Sequence, residues 1–198
     1  MDKNSNNKSS DEFNTSSKIY TDFKKKLQKY LNPYQIKKIE KAFDTARLAH
    51  KGQLRKSGEE YIHHPLSAAS ILADFHLDHE SIMAAILHDV IEDTEIEKGG
   101  LKDKFGVKVA ELVDGVSKLD KLSFSTKEEA DAANLRKMIM AMSQDIRVIL
   151  IKLADRRHNL ETINALNSIQ RKKIGKETLE IFAPIALRLG IHSLNKEL

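Results

Sequence analysis

Apolar side chains recur every three or four residues along most of this chain, and that spacing restricts the fold more than any other feature. One row runs through Ile36, Ile39, Phe43 and Ala46, and others follow it. An α-helix brings residues at this spacing onto one face, whereas a half-buried strand alternates at every second residue. The sequence therefore predicts an all-α fold.

Local signals predict where the helices begin and end. Asn32 and Pro33 have the residue types of an N-cap and a first helical residue, and Pro65 and Asp78 mark further starts. Stops or kinks are expected at three glycines, Gly106, Gly115 and Gly190. Residues 51–63 lack periodicity and predict a loop, and a break at 122–126 precedes a helix predicted over 127–143.

The segment 146–151 is rich in β-branched residues and, by itself, resembles a buried strand. The segment continues without a turn signal through Asp155 to Thr162. A stretch of that length favours one buried helix over a strand.

The composition predicts one globular domain with a mobile N-terminal tail. A chain of 198 residues that is 40% hydrophobic can bury a single core. Residues 1–18 are rich in Asn, Ser and Lys and are predicted to be disordered, because they cannot offset the entropy lost on ordering. The domain is therefore expected to span residues 19–198.

The composition also excludes several kinds of site. The chain has no cysteine, so a metal ion would need His and carboxylate ligands. There is no signal peptide and no apolar run of the roughly 20 residues that span a bilayer, so we expect a cytoplasmic protein without a membrane partner. The net charge of +4 suits an anionic partner, but the pattern of a nucleic-acid-binding protein is absent and no nucleic acid is expected.

Four ionisable residues stand at the end of an apolar segment, SIMAAILHDVIEDT at 81–94. On one continuous helix, His88, Asp89, Glu92 and Asp93 would project into one sector. Three carboxylates in that sector repel one another unless a cation compensates them. A solvated, charged helix end is the alternative when this segment is considered alone.

A second polar cluster has the helical spacing i, i+3, i+4, i+7 and consists of Asp155, His158, Asn159 and Thr162. Core-like residues precede Asp155, so its carboxylate is expected near the interior, where it needs a partner. That partner is either a metal ion or, in the alternative, an adjacent arginine, Arg156 or Arg157.

His64 adds a third element, because the order His64, His88-Asp89 and Asp155 gives two imidazoles and two carboxylates. This mixed set suits one Mn²⁺, Fe²⁺ or Zn²⁺ ion. Such an ion lowers the pKa of a water molecule and polarises a phosphoryl oxygen.

Other charged residues could support that chemistry. Glu92 and Asp93 could orient or deprotonate the water, or hold a second cation. Positive charge for an anionic substrate is expected from Arg55 and Lys56. Three weaker candidates are Lys118, Lys121 and Lys152.

Five longer stretches carry a resemblance to a known family. They are AHKGQLRKSGEEYIHHPL (49–66), HDVIEDT (88–94), VDGVSKLDKL (113–122), RKMIMAMSQDIRVILIKLADRRHNL (136–160) and ETLEIFAPIALRLGIH (177–192). Together they resemble the N-terminal hydrolase domain of the long RelA/SpoT alarmone enzymes, of the SpoT type, which has the HD-domain helical bundle fold. Their combination is much more specific than an isolated His-Asp pair.

The resemblance implies hydrolysis of the 3′-pyrophosphate of (p)ppGpp to GDP or GTP and pyrophosphate, in control of the stringent response, with Mn²⁺ as cofactor. By position it implies four metal ligands, His64, His88, Asp89 and Asp155. It implies an acidic pair needed for hydrolysis, Glu92 and Asp93. It implies a guanosine pocket formed by Arg55, Lys56, Tyr61, Asn159 and Thr162. His50 and His63 match no ligand.

The HDVIED motif is intact, unlike the degenerate motif of RelA-type members, which favours an active hydrolase. Two residues depart from the family pattern: Glu60, where proline is usual, and Arg157, where a neutral residue is usual. The sequence stops just after the LGI segment, so the synthetase and regulatory domains are expected to be absent and the chain to be an excised domain.

Two other functions remain open at the level of sequence. One is an HD-type nucleotidase that acts on another nucleotide, such as a deoxynucleoside monophosphate. The other is a non-catalytic regulatory domain that binds guanosine nucleotides.

Overall fold

The computed structural model of the chain describes residues 18–120, 145–191 and 198. Most of these residues form helices, as the spacing of the apolar side chains predicts. Helix α1 covers 18–27. The helices that follow it are α2 (Pro33–Ala49), α3 (His63–Asp74), α4 (His79–Leu87), α5 (Val90–Asp93), α6 (Lys98–Phe105), α7 (Val107–Asp120), α8 (Arg147–Glu161), α9 (Ser168–Glu177) and α10 (Ala183–Arg188). A 3₁₀ turn follows α8 at Ile163–Ala165, and a π-helical turn joins α9 to α10 at Thr178–Phe182. Within these ranges the only β-type pairing is one isolated bridge, Leu54 to Glu60, so the predicted all-α fold is confirmed.

Hydrogen bonds confirm two of the predicted helix starts. Asn32 Oδ1 accepts from the Gln35 amide, and the Gln35 side chain accepts in turn from the Asn32 amide. This reciprocal pair satisfies amides that the start of a helix otherwise leaves unpaired. Asp78 accepts from the amides of Glu80 and Ser81 at the start of α4. The third start differs slightly, because α3 begins two residues before the predicted proline.

Helix α4 lies at the centre of the bundle. It packs against α2, α3, α7 and α8, and every residue from Ser81 to Leu87 is buried. Neighbours on all sides explain why this helix is apolar all round and not only along one stripe. The polar residues 88–93 therefore emerge where the central helix stops.

Residues 81–94 do not form one continuous helix, which corrects the prediction. Helix α4 ends at Leu87, His88 and Asp89 form a turn, and α5 is a short helix. The His88 ring contacts the carbonyl of Ala85, which a continuing helix would offer to the Asp89 amide. The side chain of His88 thus competes with the backbone at the point where the helix is interrupted.

The predicted helix at 146–162 is confirmed as α8, and its packing corrects one glycine prediction. Gly106 and Gly190 follow helices with positive φ angles, as expected of helix ends, but α7 continues through Gly115. A Cβ atom at Gly115 would lie 2.8 Å from Cγ2 of Val148 in α8. This glycine therefore lets two helices pack closely and does not stop α7.

Several expectations fall outside the described residues. They are the tail, apart from Lys18, which lies in α1, the break at 122–126, the helix at 127–143, and Lys121. Across the described ranges, no helix is both long and apolar enough to cross a bilayer.

Candidate metal centre and substrate cleft

The predicted loop between α2 and α3 is held in shape by its own backbone. The Arg55 amide donates to the Glu59 carbonyl (2.9 Å), and the Tyr61 amide donates to the Gln53 carbonyl (3.1 Å). These two bonds fix Arg55 and Tyr61, both predicted pocket residues, on opposite arms of the loop. Neither bond uses the amide of Glu60, so the residue at the usual proline position does not alter this pairing.

His64, His88 and Asp155 come together from α3, the end of α4 and α8. His64 Nε2 lies 3.0 Å from Asp155 Oδ1, and His88 Nε2 lies 3.8 Å from the same oxygen. One ligand atom from each residue lies within 4.8 Å of the other two, which is close enough for the three to share one ion.

Asp89 completes this group on the solvent side. Its Oδ1 lies 3.1 Å from His88 Nε2, and its Oδ2 lies 3.7 Å from His64 Nε2. The side chain of Asp89 is 18% exposed, whereas those of His64, His88 and Asp155 are 5% exposed or less. The structure thus brings all four residues that the sequence predicted as metal ligands to one place.

The environment of His88 provides a test of whether these residues fit a divalent cation. Its Nδ1 lies 2.8 Å from the Ala85 carbonyl, which can only accept, so Nδ1 carries a proton. Its Nε2 is buried, makes no hydrogen bond of good geometry within the described part of the chain, and faces the carboxylates of Asp89 and Asp155. A lone pair opposite two carboxylates is repulsive unless positive charge lies between them. Imidazole and carboxylate ligands around a cation resolve that conflict, so the residues fit.

The pKa of His88 shows the same demand for positive charge, whereas the pKa of His64 is governed by burial. Burial lowers the pKa of His88, but Asp89 and Asp155 outweigh it and raise that pKa to about 9. Burial lowers the pKa of His64 and outweighs the nearby Asp155 carboxylate, which acts to raise it. Burial acts to raise the pKa of Asp155, but Lys152 and the two imidazoles hold it well below its usual range. Asp89 and Asp155 therefore favour a proton on His88, at the place where a bound cation would supply positive charge.

Asp155 does pair with a cationic side chain, but not with a neighbouring arginine. The Lys152 ammonium, one helical turn earlier, donates to Asp155 Oδ2. The two arginines pair elsewhere, Arg156 with Glu177 and Arg157 with Glu161. The alternative that an adjacent arginine compensates Asp155 is therefore wrong.

Tyr61 connects two of the acidic residues. Its hydroxyl lies 2.8 Å from Asp89 Oδ2 and 2.7 Å from Asp93 Oδ2, and its ring stacks on His50. Burial and the charges of Asp89 and Asp93 raise the pKa of Tyr61, so the phenol keeps its proton. A single phenolic proton serves one of the two carboxylates at a time. Tyr61 therefore ties the position of Asp93 to that of Asp89.

Glu92 is anchored from a different helix. The hydroxyl of Ser117 in α7 donates to Glu92 Oε1. Ser117 was not predicted, because its contact with Glu92 depends on how α5 packs against α7. Glu92 and Asp93 are both exposed to the cleft, but separate partners hold them.

A cleft of about 460 Å³ opens over this cluster. Ten of the eleven predicted site residues line it, and the eleventh, His88, is buried at 2% exposure. Of the weaker lysine candidates, Lys152 lines the cleft, whereas Lys118 pairs with Asp114 and is not part of the wall. Four lining residues were not predicted: Leu54, Ser57, Ala165 and Leu166.

Arg55 reaches across the wall of the cleft to α8. Its guanidinium donates to Asn159 Oδ1 (2.9 Å) and lies 3.4 Å from Thr162 Oγ1. It also lies 3.4 Å from Nδ1 of His158. The loop and the end of α8 are thus joined by predicted pocket residues.

His158 is the residue of this site whose importance the sequence did not reveal. Its Nδ1 lies 2.8 Å from Nδ1 of His64, and both rings are buried. Burial, followed by the charges of His64 and Arg55, lowers the pKa of His158 to about 3, so the ring is neutral. Its position three residues after Asp155 was the available signal.

Comparisons with known proteins place the chain in a family. The family model described as an HD domain matches residues 42–192. The chain belongs to the HD domain family. Over 172 residues it is 58% identical to the bifunctional (p)ppGpp synthase/hydrolase SpoT of Escherichia coli K12, a match that covers 87% of this chain and 24% of that protein. Over 153 residues it is 61% identical to the guanosine-3′,5′-bis(diphosphate) 3′-pyrophosphohydrolase of Haemophilus influenzae, covering 77% and 23% of the two chains.

A solved structure extends this agreement to the fold. It is described as a metazoan ortholog of SpoT that hydrolyzes ppGpp, and it matches with a TM-score of 0.58 at 26% identity, over 74% of this chain and 84% of that one. The predicted resemblance to SpoT-type hydrolase domains is confirmed. This HD domain chain spans about a quarter of the length of the curated relatives it matches.

Proposed function

We propose that this HD domain hydrolyses the 3′-pyrophosphate of (p)ppGpp, releasing pyrophosphate and GDP or GTP. The observation that carries the proposal is the cleft itself, in which the intact acidic pair, the His-Asp cluster and the arginine-bearing loop meet. The support from relatives is the 58% identity to an enzyme named as a (p)ppGpp synthase/hydrolase.

The charges lining the cleft suit a nucleotide with several phosphates. Arg55, Lys56 and Lys152 line the same cavity and offset the phosphate charge that the four carboxylates would otherwise repel. Arg55 is already positioned by Asn159 and Thr162, so little ordering entropy is lost when its guanidinium contacts the ligand. The apolar side chains of Ala165 and Leu166 offer a surface on which a guanine base can pack.

We propose one Mn²⁺ ion held by His64, His88, Asp89 and Asp155, because this mixed nitrogen and oxygen set suits that metal. When bound, the ion lowers the pKa of the attacking water and neutralises phosphoryl charge. A second divalent ion beside Glu92 and Asp93 would be weaker, since Ser117 and Tyr61 already occupy oxygens of these carboxylates.

The proposed reaction then depends on the acidic pair. Glu92 accepts a proton from water, whose oxygen bonds to the phosphorus attached to the 3′ oxygen of the nucleotide. The bond from that phosphorus to the 3′ oxygen breaks, the 3′ oxygen takes up a proton, and pyrophosphate leaves with the oxygen of the water. Asp93, joined to Asp89 through Tyr61, keeps Asp89 in its place. Asp93 is therefore a positioning residue in the proposed reaction.

The test is incubation with ppGpp and Mn²⁺, with and without chelator, followed by identification of the products. The proposal expects GDP and pyrophosphate in equal amounts, and no product with chelator or with the Asp89→Asn variant. Release of orthophosphate from a nucleoside monophosphate, with ppGpp left intact, would support an HD-type nucleotidase instead. Retention of ppGpp without products would support a regulatory binding domain.

A further inference from the structure

The contact between His64 and His158 requires one proton shared between the two rings. The two Nδ1 atoms are 2.8 Å apart and buried. Two bare nitrogens at that distance would repel each other through their lone pairs, and two N–H groups would collide. A single proton must therefore lie between the rings, donated by one and accepted by the other.

The surroundings of His158 decide which ring donates. The Arg55 guanidinium lies 3.4 Å from the same Nδ1 of His158, and a guanidinium has protons to donate but no acceptor. If His158 Nδ1 carried its own proton, that N–H would face the N–H groups of the Arg55 guanidinium, which cannot accept it. His158 Nδ1 is therefore the acceptor, and the proton between the rings belongs to His64.

The position of this proton determines which nitrogen of His64 can bind a metal ion. A neutral imidazole that carries its proton on Nδ1 has its lone pair on Nε2. His64 Nε2 is the atom that faces Asp155 Oδ1 at 3.0 Å and belongs to the group able to share one ion. The hydrogen bond on the far side of the ring thus orients it and keeps the inner nitrogen available as a ligand.

We propose that His158 is a positioning residue, which fixes the tautomer and orientation of His64 for the metal ion and holds Arg55 with the same nitrogen. The cation site and the nucleotide-binding loop then share one hydrogen-bond acceptor. This inference rests on the proposed metal site but not on the identity of the nucleotide.

The main test compares two substitutions at position 158 by titrating the metal-free protein with Mn²⁺ in the absence of nucleotide. His158→Leu keeps an apolar volume but cannot accept a proton, and we expect Mn²⁺ affinity to fall about 10- to 100-fold, the range seen for outer partners of metal-bound histidines. His158→Asn places an amide oxygen close to the position of Nδ1, and we expect it to restore most of that affinity. The control His79→Leu, at the start of α4 and outside the cleft, should leave Mn²⁺ binding unchanged.

Two results would overturn the inference: unchanged Mn²⁺ affinity in folded His158→Leu, or equally weak binding in His158→Leu and His158→Asn. Circular dichroism and thermal unfolding would show whether the variants are folded. If His158→Leu does not fold, ¹⁵N NMR of the imidazoles in the parent protein provides the second test. The expected spectrum has the proton of His64 on Nδ1 and that of His158 on Nε2, and the reverse assignment contradicts the inference.

These results separate the inference from the proposed function. A parent protein that binds Mn²⁺ but does not cleave ppGpp contradicts the proposed substrate and leaves the role of His158 to be decided by the titrations. A parent protein that binds no Mn²⁺ contradicts the metal site and, with it, the role proposed for His158.

Discussion

Two polar clusters lie about two turns apart along helix α8, and they satisfy their charges in different ways. At its start, Arg147 donates to both carboxylate oxygens of Asp78 (3.0 Å each) and to Asp145 (2.8 Å), and Lys108 also pairs with Asp145 (2.9 Å). We call this group the arginine cluster. Further along, Asp155 belongs to the candidate metal centre.

The charges of the arginine cluster are balanced within the cluster, because each of its carboxylates faces cationic N–H donors. The hydrogen bond from Arg147 is the main reason that the pKa of Asp145 is lowered. In the metal centre, the buried Nε2 of His88 faces two carboxylates instead. The difference indicates that the first group is a structural link between helices, whereas the second has a buried nitrogen and two carboxylates arranged as the proposed cation would require.

The substitution with the largest expected effect, Asp89→Asn, should disrupt the metal centre and leave the fold intact. Asp89→Asn should lower Mn²⁺ affinity by more than the roughly 100-fold that loss of an outer partner can cost, and hydrolysis should disappear with it. The stability of the metal-free protein should not fall, because one of two neighbouring carboxylates becomes neutral. Metal titration and thermal unfolding measure the two effects. Unchanged Mn²⁺ binding would remove Asp89 from the set of ligands.

A second change separates the chemistry from metal binding. Glu92→Gln should reduce turnover about 10²- to 10⁴-fold, the usual contribution of a general base, and leave Mn²⁺ affinity as in the parent. The matched control is Ser117→Ala, which removes the anchor of Glu92 but keeps its carboxylate and should cost much less. Parental turnover in Glu92→Gln would show that the base lies elsewhere.

The converse change breaks the arginine cluster alone. Arg147→Met should lower the free energy of unfolding by about 2 kcal/mol, because the carboxylates it contacts lose charged donors. Mn²⁺ affinity of the folded protein should stay the same. Denaturant unfolding and metal titration test the pair of outcomes, and a large loss of metal affinity would mean that the two clusters are not independent.

The loss of stability caused by Arg147→Met should depend on pH in a definite direction. The pKa of Asp145 is lower in the folded protein than in the unfolded chain, so its stabilisation is present above the unfolded value of about 4 and is lost as pH falls through the folded value. The stability difference between the parent and Arg147→Met should therefore be largest near neutral pH and shrink in acid. A difference that grows in acid would contradict the assigned role of Asp145.

The smallest effect concerns the nucleotide. Arg55→Ala should raise KM for ppGpp about tenfold, since one charge-assisted contact is lost, with a smaller change in kcat. Lys51→Ala, in the same loop but outside the cleft, is the matched control and should resemble the parent. An unchanged KM in Arg55→Ala would place Arg55 away from the bound nucleotide.

The sequence predicted features that depend on local chemistry. The caps at Asn32 and Asp78 follow from side chains that bond to nearby amides, and the helical period follows from a face that must be buried. His88, Asp89 and Asp155 were found because they are polar groups beside apolar segments, and His64 because it precedes a predicted helix start and completes a set of two imidazoles and two carboxylates. Family resemblance then added Tyr61, which periodicity alone would not have singled out.

Other features depend on contacts between distant segments and were not predictable from local patterns. Gly115 resembles a helix stop until Val148 is seen against it. The interruption at His88 depends on a ring that bonds back to Ala85. His158 gains its importance from His64, 94 residues away in the sequence.

The most direct measurement of the central claim is an anomalous scattering map from crystals grown with Mn²⁺. We predict a manganese peak among His64 Nε2, His88 Nε2 and the carboxylates of Asp89 and Asp155, and no such peak in Asp89→Asn crystals. A peak elsewhere in the cleft, or no ordered manganese in the parent protein at saturating Mn²⁺, would contradict this prediction.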